Sequence, residues 1–92
     1  MINKKILKIR KKLDLLDDSF LKLLKQRSIL VDQVLANKKY KKDIIDRKRI
    51  LIILKNISVK SKKNKLDEKV TKRIWKAMIG AFIDYEYRNF KK

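Results

Sequence analysis

Apolar residues recur along the first third of the chain at Ile6, Ile9, Leu13, Leu16, Phe20, Leu23, Leu30 and Val34, in steps of three and four, with Arg27 taking the one remaining position. That 3.5-residue period is a coiled-coil seam and predicts one unbroken helix from about Asn3 to Lys38. Such a helix is about 50 Å long at 1.5 Å per residue. A compact chain of 92 residues is only about 30 Å across. The helix outruns the core its own chain can build, so pattern and length both predict packing against a second copy in a dimer. A polar connector, Lys39–Asp43, follows, and then a second helix from about Ile44 to Val59. Ile50, Leu51, Ile52, Ile53, Leu54 and Ile57 make that helix apolar nearly all round, which predicts burial on several sides. Lys60–Lys65 reads as a polar loop. Leu66 and Asp67 read as the staple and N-cap of a third helix reaching about Phe90, with Val70, Ile74, Trp75, Met78, Ile79, Phe82 and Tyr85 on its apolar face. The expected fold is all-α, with one long, one short and one medium helix in a single domain, 1–92.

Composition sharpens this picture. One Gly and no Pro leave long helices unbroken and give tight hairpins little to work with. With no Cys and no His, disulfides, thiol nucleophiles, Ser–His relays, the usual zinc sites and imidazole acid–base chemistry are excluded. Any catalysis must rest on Arg, Lys, Asp, Glu and hydroxyls, and no metal is expected. The N-terminal segment is charged throughout. It lacks the apolar run of about 7–15 residues that a signal peptide needs, or the roughly 20 of a membrane helix, so a cytoplasmic protein without a membrane partner is expected.

The formal charge of +18, from 28 Lys+Arg against 10 Asp+Glu, admits two readings. A nucleic-acid module would cluster Arg and aromatic residues into basic stripes. Here the cations are mostly Lys and are spread along the whole chain, which favours a solvated surface and no specific nucleic-acid partner. The basic helical module stays open as an alternative.

The informative residues are charges standing on apolar stripes. Arg27 fills a seam position between Leu23 and Leu30, where a cation is costly unless paired. It is either a snorkelling, register-setting residue or part of a buried anion site. Glu86 continues the stripe Trp75, Ile79, Phe82, so its carboxyl is expected to be partly buried, in a salt bridge or in a binding site. Arg47 lies three residues after Ile44 and four before Leu51, where an ion pair with Asp43 or Asp46 is the simplest role. Lys38 falls eleven residues after Arg27, on nearly the same side of the first helix. In a chain that uses Lys nearly everywhere, Arg10, Arg27 and Arg47 keep the rigid fork that grips carboxylates bidentately. Arg10 and Arg27 are about 25 Å apart along one helix. They cannot serve one small ligand from the same chain, but in an antiparallel dimer Arg10 would reach the other subunit's site.

The run Ile9-Arg10-Lys-Lys-Leu-Asp-Leu-Leu-Asp17, followed by Leu23-Leu-Lys-Gln-Arg27, resembles the opening of the all-helical chorismate mutases. Lys38 matches that family's lysine near the end of the first helix. Asp46-Arg47 matches the acidic-Arg pair opening the second, and Leu66-Asp67 with Ile74-Trp75-Lys-Ala-Met-Ile79 through Glu86 matches the last. The resemblance covers nearly the whole chain, each motif being weak alone and the ordered set more specific.

It implies an intertwined homodimer with two equivalent sites, in which Arg27 and Arg47 bind the carboxylates of chorismate, Arg10 comes from the partner, and Lys38 and Glu86 flank the ether oxygen. It also implies a pericyclic conversion to prephenate, in aromatic amino acid biosynthesis, that needs no cofactor. The chain departs from the family pattern at Ile44 and Lys48, where many chorismate mutases place acids that contact the substrate hydroxyl, and its connector after Lys38 is short. Glu86 stands where some members have Gln and others Glu. The related isochorismate pyruvate-lyases share the fold without relying on those acids and are the alternative that the resemblance leaves open.

Overall fold

The computed structural model describes residues 3–91. The described residues form three α-helices and no strand: α1 (Lys4–Ala36), α2 (Arg47–Lys63) and α3 (Glu68–Asn89), with a single 3-10 turn, Lys41–Asp43, between α1 and α2. The fold is all-α, as the periodicity predicts. Two compact units divide the chain, one ending at Val31 and the other beginning at Asp32.

The first unit is the body of α1. Asn3 caps it, its side-chain oxygen accepting a hydrogen bond from the Ile6 amide at 2.9 Å. The seam is continuous along the helix. Within the chain it lies open, from 41% exposed at Ile6 to 61% at Leu23.

The second unit holds the last turns of α1, the 3-10 turn and the α2–α3 hairpin. α2 is displaced from its expected span, starting three residues later and ending four later. Ile44 and Ile45 belong to the turn, and Asp46 is the N-cap, accepting from the Arg49 amide at 3.0 Å. At the other end Lys60, Lys62 and Lys63 are helical, not loop, because cations are favourable at a helix C-terminus. The stop comes at Lys65, which takes a left-handed φ of 58°. Its amide donates to the Lys62 carbonyl at 3.2 Å and that of Leu66 to the Ser61 carbonyl at 2.8 Å. This is a Schellman cap built without glycine. Asp67 then caps α3 as expected, accepting from the Lys69 amide at 2.8 Å.

Burial on several sides of α2 is not what the single chain shows. Ile53, Leu54 and Ile57 are half-buried, but Leu51 and Ile52 are 69% and 51% exposed, because within the unit α3 is the helix packed along α2. Between them the hydroxyls of Ser61 and Thr71, both buried, meet at 2.7 Å. Each hydroxyl also has a carbonyl of its own helix within reach, Ser61 that of Ile57 at 2.6 Å and Thr71 that of Glu68 at 3.3 Å. Among the described residues Leu35 and Ile44 are the buried apolar side chains, and no helix is long and apolar enough to cross a membrane.

Candidate active site

Leu35 anchors the end of α1 in the second unit. The helix closes with tightened i to i+3 bonds, Asn37 N to Val34 O and Lys38 N to Leu35 O, each 3.1 Å. These swing Lys38 out of the helix. The chain then folds through the 3-10 turn, where Asp43 accepts from the Tyr40 amide at 3.3 Å and the Ile44 amide donates to the Lys41 carbonyl at 3.2 Å. The turn aims the Ile44 carbonyl back at Lys38, whose ammonium donates to it at 3.3 Å. From α3 the Glu86 carboxylate meets the same ammonium at 2.9 Å.

Little water reaches this pair. The Lys38 side chain is 18% exposed and that of Glu86 9%. Taking either charge out of water alone would be costly, so each requires the other. An ammonium has three donors. Two are used here, which holds Lys38 in a fixed direction and leaves a third N–H for a ligand.

Of the five residues singled out from the sequence, Lys38 and Glu86 are thus brought together across 48 positions. Arg47 is the first residue of α2, three after Ile44, and is exposed beside a shallow depression shared with Asp43 and Lys48. The acids expected to pair with Arg47 are turned to backbone amides instead: Asp43 to Tyr40 and Asp46 to Arg49. Arg10 and Arg27 lie on α1 in the first unit, Arg10 exposed and Arg27 half-buried.

Two contacts beside the pair escaped the sequence reading. One is the Ile44 carbonyl, a backbone group that no residue pattern advertises. The other is the hydrogen bond from the Tyr85 hydroxyl to Asp32 Oδ1 at 2.7 Å. Accepting that proton, Asp32 raises the Tyr85 pKa above its usual value of 10.0, and burial and the Asp32 charge act in the same direction. Tyr85 also meets Phe82 edge-on, with ring centroids 6.3 Å apart. Farther down the hairpin, Glu68 is held at a pKa of about 2. Its main causes are hydrogen bonds from Ser58 and Lys72, reinforced by the charges of Lys62 and Lys72 and opposed by partial desolvation. Among the described residues no group of three or more acidic, His or Cys side chains could hold a metal.

The protein is all-helical, with a lysine–carboxylate pair sunk where the end of α1, the 3-10 turn and α3 meet. Comparison with known families identifies the kind: the model of the family described as chorismate mutase type II matches residues 9–87. The chain belongs to that family. No curated protein and no solved structure matches it.

Proposed function

We propose that this chain is a chorismate mutase, converting chorismate to prephenate in aromatic amino acid biosynthesis in the cytoplasm, as a homodimer of a single domain spanning 1–92. The observation that carries this reading is the Lys38–Glu86 pair, with its 2.9 Å contact and its low exposure, in a chain of this family. In the rearrangement the ether C–O bond breaks as a new C–C bond forms, and nothing enters or leaves. The protein's task is to hold a dianion in a compact shape and to stabilise the negative charge that grows on the ether oxygen. The third N–H of Lys38 serves that oxygen. Glu86 fixes the lysine and flanks the same atom, as the family resemblance implies. Arg27 and Arg47 take the substrate carboxylates, and Arg10 of the partner subunit completes the site. The position of Arg47, in the first turn of α2 where the helix dipole is positive, suits that role.

The open seam of α1 supports the dimer. A row of eight apolar side chains left 41–61% exposed, from Ile6 to Val34, is a face that a second copy would cover. The exposed Leu51 and Ile52 of α2 belong to the same account.

A second reading is favoured by Ile44. It is 3% exposed and apolar at a position where the resemblance leads one to expect an acid for the substrate hydroxyl. This suits an isochorismate pyruvate-lyase. Incubating the protein separately with chorismate and with isochorismate, and measuring prephenate and pyruvate, tests both. Prephenate from chorismate supports the mutase, and pyruvate from isochorismate without prephenate from chorismate supports the lyase. Neither product from either substrate refutes both.

A further inference from the structure

Lys38 and Glu86 belong to different elements, so their contact depends on how α3 is rolled and seated against the segment 32–38. One ion pair fixes a point and leaves that roll free. Tyr85 and Glu86 are neighbours on α3 and project about 100° apart around its axis. Tyr85 reaches Asp32, on the last turns of α1, at 2.7 Å, while Glu86 reaches Lys38 at 2.9 Å. Two bonds from adjacent residues to two points six residues apart define both the rotation and the axial position of this end of α3.

We propose that the Tyr85–Asp32 hydrogen bond is a positioning device: it sets the roll of α3 and so aims the Glu86 carboxyl at the Lys38 ammonium. This rests on the reading of Lys38 and Glu86 as the catalytic pair. Tyr85 and Asp32 do not touch the reacting atoms; they act through Glu86.

The surroundings fit that role. The bond sits on a cleft of about 370 Å³ lined by Leu35, Ala36, Asn89 and Phe90 among others. Water therefore competes for both partners, and the bond contributes little to global stability. Its value is directional. The Asn89 side chain donates to the Tyr85 carbonyl at 2.8 Å, finishing α3 on the same turn. The raised pKa of Tyr85 keeps the phenol a donor well into alkaline solution.

The test uses the full chain with Tyr85→Phe, Asp32→Ala, Asp32→Asn and the double variant Tyr85→Phe/Asp32→Ala. The chain has two glutamates, Glu68 and Glu86, so selective carbon-13 labelling gives two side-chain carboxyl signals that report without any substrate. Tyr85→Phe and Asp32→Ala are expected to move the Glu86 signal and leave that of Glu68 in place. With chorismate each should lower kcat by about tenfold and change KM by less than about twofold, since a small misplacement in an active site is costly to rate. The double variant should be no worse than either single one, because the two residues act through one bond. Asp32→Asn keeps an acceptor oxygen and should recover most of what Asp32→Ala loses. An unmoved Glu86 signal in both single variants overturns the proposal, as does a loss carried by KM alone. If the unaltered protein turns over neither chorismate nor isochorismate, the proposed function falls and the Glu86 signal alone decides the tether.

Discussion

Replacing Lys38 by Met keeps the length and apolar stem of the side chain and removes its charge. Two hydrogen bonds disappear, those to Glu86 at 2.9 Å and to the Ile44 carbonyl at 3.3 Å, and a carboxylate whose side chain is 9% exposed loses its counter-ion. Breaking a fully buried pair by removing one partner costs about 3–5 kcal/mol. Here some water reaches both groups, so about 2–3 kcal/mol is expected, a large share of a small domain's stability. For a chain of this size that is a fall in Tm of roughly 10–20 °C. Glu86→Gln is the contrasting change. Its amide oxygen and the Ile44 carbonyl still accept from Lys38, but the ammonium, on a side chain 18% exposed, loses its counter-ion, so the loss should be about 1–2 kcal/mol, smaller than that of Lys38→Met. Because the amide oxygen still holds Lys38 in its direction, turnover should survive. Thermal unfolding followed by circular dichroism, with all proteins at one concentration so that association contributes equally, gives the stability order. A chorismate assay gives the activity order. Lys38→Met unfolding at the temperature of the unaltered protein would refute the idea that the two charges depend on each other. Loss of turnover in Glu86→Gln, with its stability intact, would refute the idea that Glu86 acts only by holding Lys38 in place.

Further outcomes are expected. Glu68 has its pKa lowered from 4.5 to about 2, so its stabilising effect is present above the higher value and fades as pH falls toward the lower one. The Tm gap between the unaltered protein and Glu68→Gln should be widest near neutrality and close on acidification, and a gap that does not change with pH would contradict this. Lys65→Gly removes a side chain from the left-handed φ of 58° and should add about 0.5–1 kcal/mol in denaturant titrations; a loss of stability would deny that the cap is strained. Light scattering should give twice the chain mass, and Leu16→Asp with Leu23→Asp on the open seam should reduce it to one chain; an unaltered protein that is monomeric would remove the seam's purpose. Mixing inactive Arg10→Ala and Arg27→Ala proteins under subunit exchange should restore activity, because one of the two sites then lacks both changes; no recovery despite proven exchange would argue against a shared site.

How much of this could be read from the chain alone depends on the range of the interaction. α1 is legible because its 3.5-residue period repeats over nine positions, and Asp67 is visible as a cap because capping acts over two or three residues. The limits of α2 are not, for local reasons: Ile44 and Ile45 fit a helical pattern as well as Ile50 and Leu51 do, and the cap residue Asp46 lies between the two pairs. The far end hides too, because the helix stops on a lysine in a conformation normally signalled by glycine or asparagine. Glu86 is legible as a carboxyl out of place on an apolar stripe, yet which of many lysines answers it depends on contacts 48 residues apart. The Asp32–Tyr85 bond spans 53, and neither residue is unusual where it stands. The burial expected around α2 comes from its composition, but one chain supplies one packed neighbour.

The second acceptor of Lys38 is the main-chain oxygen of residue 44, and a main-chain oxygen is present whatever side chain is attached. Position 44 therefore carries two separable duties. Its backbone aims the ammonium, while its side chain, an isoleucine 3% exposed, packs the interior and is not part of that hydrogen bond. A replacement at 44 therefore probes the side chain alone, because whatever residue stands there still presents the same oxygen to the lysine.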